Sequence, residues 1–141
     1  MAERLVADGV KSMEEERLLS KVSMNIVRGC LVVPVHIELY DEAVVQIQKE
    51  VLEMVNRRGV KGVIIDLSGV EVLDSFLANA IFDTARMASL LGAVVVFTGF
   101  KAEVVASIVD LDIEFNDINS TLTLEEAFQR LEPVVKPKQK T

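Results

Sequence analysis

Few side chains in this sequence combine the type and the setting that chemistry requires. His36 is the only histidine; it stands between Val35 and Ile37 in a strand-like run, with no second imidazole to complete a metal site or a proton relay. Cys30 is the only cysteine, so no internal disulfide and no Cys-x-x-Cys pair can form, and its neighbours Gly29 and Leu31 mark it as a small buried hydrophobe. No G-x-x-x-x-G-K-[ST], G-x-G-x-x-G or G-x-S-x-G pattern occurs, which leaves a nucleotide cradle and a serine-hydrolase elbow unsupported. Three residues remain. Ser75 follows Asp74 where an apolar run gives way to a helical pattern; Asp66 ends one apolar run, and Thr98 ends the next. A serine at a helix start sits among unpartnered N–H groups and a positive dipole end, so its hydroxyl is available and an added phosphate is tolerated. A cap is the plainer reading of Asp74 and Ser75 taken alone, since either contributes about 1 kcal/mol in that role. Thr98 is a turn residue or a second modifiable hydroxyl. Asp66, with Thr98 and Lys101 nearby, is a strand-end polar residue or, in a receiver-like alternative, a phosphoacceptor; that chemistry needs acids at an earlier strand end to hold Mg²⁺, and CLVVPVHIELYDE supplies none before Glu38.

The composition narrows the partners. The chain has 141 residues with formal charge -7, so it should repel nucleic-acid backbones and anionic membrane surfaces. A chain of this length buries enough surface to need no disulfide or metal staple. No apolar run approaches the ~18 residues that span a bilayer, and the amino-terminal stretch MAERLVADGVKSMEEER lacks an apolar signal region, so the expectation is a soluble cytoplasmic protein without leader. Residues 1–21 read as a polar extension, residues 22–132 as one domain and residues 133–141, PVVKPKQKT, as a basic tail.

The elements that must position Ser75 follow from changes of apolar period. Ser23–Val27 and Cys30–Ile37, separated by Arg28 and Gly29, predict an antiparallel hairpin, with Pro34 forcing a bulge or an unpaired stretch in its second strand. A helix is expected from Asp41 to Gly59, with Val44, Val45, Val51, Leu52 and Val55 on its apolar face and Gln48 as an interruption. Gly62–Leu67 and Ala93–Phe97 are short continuous apolar runs of the kind found in parallel strands covered on both faces. Between them, Phe76, Ala80, Ile81, Ala85, Ala88 and Leu91 recur at helical spacing. A helix over Lys101–Asp110, a strand near Ile113–Phe115 and a closing helix opened by a Thr123/Glu126 capping box complete the pattern. The fold class expected is α/β: a mixed, mostly parallel sheet with an amino-terminal hairpin and flanking helices.

The stretch Ile64–Gly99, IIDLSGVEVLDSFLANAIFDTARMASLLGAVVVFTG, closely resembles the STAS domain, the fold of anti-sigma-factor antagonists, and within that family the small single-domain type of the bacterial stressosome. The resemblance extends from about Val22 to Leu131. It implies a non-enzymatic, cofactor-free regulatory scaffold in which the serine matching Ser75 is phosphorylated by a serine/threonine kinase. A partner packed over that serine and its loop is expected to meet Leu73, Asp74, Phe76 and Glu71 as contact residues. The resemblance further implies STAS-domain sensor paralogues in a homo-oligomer or larger assembly, and a phosphatase to reset the switch. A free anti-sigma-factor antagonist is the alternative within the same family.

Overall fold

The computed structural model describes residues 24–36, 41–112 and 118–136. The chain begins with the expected hairpin: β1 (Asn25–Val27) pairs antiparallel with β2 (Cys30–His36), Val27 opposite Cys30. Arg28 and Gly29 both have positive φ, 53° and 80°, the requirement of a type I′ turn, whose twist matches that of the strands it joins. Next come α1 (Asp41–Arg58), β3 (Gly62–Gly69), α2 (Ser75–Leu90), β4 (Val94–Thr98), α3 (Ala102–Asp110), β5 (Ser120–Thr121) and α4 (Leu124–Val135). The strands lie in sequence order, β1-β2-β3-β4-β5, and every pair after the first is parallel.

The sheet is covered on both faces. Leu31, Val33 and Val35 of β2, Val63, Ile65 and Leu67 of β3, and Val95 and Phe97 of β4 point to the side where α1, α2 and α3 pack. The alternate residues Cys30, Ile64 and Val96 meet Ala127, Phe128 and Leu131 of α4 alone on the other side. This two-sided burial is why β3 and β4 read as unbroken apolar runs. Val135 seats the end of α4 against Gly29 and Gly62, where a Cβ on Gly62 would come within 3.0 Å of it.

Several expectations change in detail. Pro34 does produce an irregularity: it pairs with Asp66, but His36 pairs with Gly69, so β3 gains a residue against β2. Val45 is exposed, and the inward positions of α1 are Ala43, Val44, Ile47, Val51 and Val55. Gln48, expected to interrupt that face, donates from Nε2 to Thr84 Oγ1 on α2 at 3.1 Å, and Thr84 in turn donates to the Ala80 carbonyl at 2.6 Å. Phe76 on α2 and Leu91 just past its end face solvent, whereas Leu77, Ala78 and Phe82 are buried. The strand expected over 113–115 lies outside the described residues, as does the 1–21 extension. α4 continues through Pro133 to Val135, so the first three residues assigned to the tail belong to the helix.

Candidate functional site

The loop from Val70 to Asp74 joins β3 to α2 and is pinned at both ends. Val70 N donates to the Leu67 carbonyl at 3.0 Å, and the side chains of Val70 and Leu73 are buried in the core. Between them Val72 is 71% exposed. Asp74 then adopts extended dihedrals (φ -82°, ψ 169°), and its Oδ1 accepts a 2.7 Å hydrogen bond from Leu77 N, while its carbonyl accepts from Ala78 N. The N-cap is therefore Asp74.

This assignment frees Ser75. It is the first residue of α2, its side chain is exposed, and its hydroxyl has no hydrogen-bond partner among the described residues. Buried Leu77 and Ala78 hold the first turn against the sheet, so the hydroxyl is presented from a fixed backbone. Glu71, Val72, Asp74 and Phe76 surround it on the surface, Phe76 with 43% of its area exposed. Of the contact residues expected from sequence, Glu71, Asp74 and Phe76 are accessible. Leu73 is not: at 3% exposure it is a core anchor, and the exposed apolar residue of the loop is Val72, which the alternation of the loop had not revealed.

The other candidates lie elsewhere. Thr98 is 1% exposed at the end of β4, on the α4 side of the sheet, so its hydroxyl is closed to an enzyme in this conformation. Asp66 is its neighbour across the β3–β4 ladder, and Asp66 Oδ1 accepts from Ser68 N at 2.9 Å. Gly99, at φ 80°, passes so close that a Cβ there would stand 2.9 Å from that carboxylate oxygen. No group of three or more His, Cys, Asp or Glu side chains assembles for a metal ion among the described residues, so nothing there gives Asp66 a Mg²⁺ partner. His36 is exposed at the end of β2. Cys30 is buried; desolvation pushes its thiol up, with Arg28 pulling weakly the other way. The cavity between α1, α2 and the sheet has a volume of only about 20 Å³ and is lined by apolar side chains such as Val33, Ile47 and Ile81, so it holds no substrate. No helix among the described residues is long and apolar enough to cross a membrane.

Comparison with known proteins agrees with this architecture. The chain is 28% identical over 109 residues to the RsbT co-antagonist protein RsbRB of Bacillus subtilis, an alignment covering 77% of this chain and 39% of that protein, so it spans about two fifths of that relative's length. A serine-to-glutamate variant of RsbS from Moorella thermoacetica superposes with a TM-score of 0.71 at 29% identity, covering 79% of this chain and 94% of that one. A chain in a structure described as the molecular architecture of the stressosome, a signal integration and transduction hub, gives a TM-score of 0.70 at 28% identity, covering 80% and 98%. The family model of the STAS domain matches residues 21–127, most of the chain and all of its sheet, and this protein belongs to the STAS domain family.

Proposed function

We propose that this chain is a non-enzymatic regulatory scaffold of a bacterial stress-signalling complex, one that binds a serine/threonine kinase and releases it once that kinase phosphorylates Ser75. The observation that carries the reading is the exposed hydroxyl at the first position of α2, without a hydrogen-bond partner among the described residues because Asp74 does the capping. The likeness to RsbS, to RsbR-type proteins and to a stressosome chain supports assembly with STAS paralogues; in this reading some of those paralogues are sensors, the complex is cytoplasmic and a phosphatase restores the serine.

The electrostatics give the switch its sign. A phosphate on Ser75 adds roughly -1.5 to -2 charges at a helix amino terminus, where the dipole favours it by about 0.3–1 kcal/mol, so the fold tolerates the modification. A partner packed over Glu71, Val72, Asp74 and Phe76 meets that new anion beside two carboxylates, and like charges juxtaposed in an interface cost several kcal/mol. Repulsion at the contact exceeds the local gain, and the partner leaves.

The test is incubation of the purified protein with ATP and a candidate serine/threonine kinase from the same organism, followed by mapping of the modified residue. Label on Ser75 that survives hydroxylamine, and its loss in Ser75→Ala with an unchanged melting curve, supports the reading. Undiminished labelling of Ser75→Ala refutes it, and hydroxylamine-labile label would move the chemistry to Asp66.

A further inference from the structure

The end of the molecule opposite Ser75 has a character the switch does not use. α2 has 16 residues, so its two ends lie about 24 Å apart. At its far end α1 finishes with Arg57 and Arg58, the chain turns through Gly59 and Lys61 into β3, and α2 finishes with Leu90, capped by Leu91, before β4 begins at Val94. The Val94 N–H donates to the Lys61 carbonyl at 2.8 Å, which holds the two connections side by side. Arg57 is paired with Glu53 at 3.0 Å, but Arg58 and Lys61 are exposed and have no ion-pair partner among the described residues. Beside them Leu90 is 87% exposed, with Leu91 and Val94 also open to solvent. Of the exposed acids at this end, Asp110 and Asp112 belong to the α3 crossover that leads on to the edge strand β5, and Glu132 lies on the end of α4 that packs on Gly62.

We infer that this basic and apolar surface docks the Ser75 end of a second copy of the chain, head to tail along α2. The two ends are complementary in charge and in kind: Arg58 and Lys61 face Glu71 and Asp74, while Leu90 and Leu91 face Val72 and Phe76. In a protein of net charge -7, unpaired cations next to exposed leucines form an unusual surface, and the acidic, apolar loop before α2 has the matching chemistry. Each copy presents both halves, so the contact is heterologous and adds copies in one direction. It needs no kinase, but it covers the surface proposed for kinase docking, so a second copy and a kinase compete for that end; an anion on Ser75 strengthens this contact while weakening kinase docking, so the two ideas predict opposite signs.

Sedimentation velocity on the purified full chain tests it. The wild type should form concentration-dependent species larger than a monomer, and raising the salt should reduce them. Two variants, Arg58→Glu/Lys61→Glu and Glu71→Lys, each checked for native circular dichroism, should each weaken self-association by about tenfold or more. Mixed together, the two should regain association, because the first retains a good acidic end, the second a good basic end, and the two charge-reversed ends also complement each other. A wild type monomeric at every concentration, either variant associating as well as wild type, or a mixture that remains monomeric would each overturn the inference.

Discussion

At the scale of single residues, the division of labour between Asp74 and Ser75 decides what each substitution does. Removing the Asp74 carboxylate deprives the Leu77 N–H of its acceptor, so Asp74→Ala should lower unfolding stability by about 1 kcal/mol, read from urea denaturation. Ser75→Ala removes a hydroxyl that bonds to nothing among the described residues, and the same measurement should show a change within about 0.5 kcal/mol. Adjacent residues of similar polarity thus separate a structural role from the proposed site of modification. Gly99 is held by a different constraint: at φ 80° a Cβ would also stand 2.7 Å from Ser68 N, so Gly99→Ala should cost about 2 kcal/mol. The sequence marked both Asp74 and Ser75 as cap candidates but could not choose between them, because either side chain can reach an N–H two or three residues ahead; only the dihedrals and the 2.7 Å bond assign the cap.

At the scale of elements, the alternation of period located the hairpin, four helices and the buried strands β3 and β4, because runs covered on both faces and helical apolar spacing leave different marks. What it misassigned were positions where composition and burial part company. Val45 is apolar yet points away from the sheet, and Gln48 is polar yet bridges α1 to Thr84 of α2. Leu73 was expected on the contact surface because it adjoins Asp74, but the path of a loop has no period to read and only the fold shows it turned inward. The Gln48–Thr84 bond gives a prediction at this scale: in a double-mutant cycle of Gln48→Leu and Thr84→Val, the coupling should be about 1 kcal/mol, since two partly buried polar groups satisfy each other across a helix interface. Leu131→Ala, which empties the centre of the α4 contact, should cost about 2–5 kcal/mol by thermal or urea unfolding.

At the scale of the whole molecule, the proposed switch and the core are separate. The site is a loop and one helix turn standing on Leu73, Leu77 and Ala78, so charge can be added outside without disturbing what is packed beneath. Fully phosphorylated protein should therefore melt within about 3 °C of the unmodified form, a shift corresponding to the sub-kcal effects of a helix-end charge, while its affinity for the kinase falls by at least about tenfold. The sheet's two sides are unequally insulated: three helices cover one, and α4 by itself covers the other through Ala127, Phe128 and Leu131. Detachment of that last segment would bare Ile64 and Val96 while leaving the larger packing intact, a local opening separate from global unfolding. Amide protons of residues 127–131 should accordingly trade for deuterium sooner than those of β3, and a binder that clasps this segment would slow that trade without touching the serine.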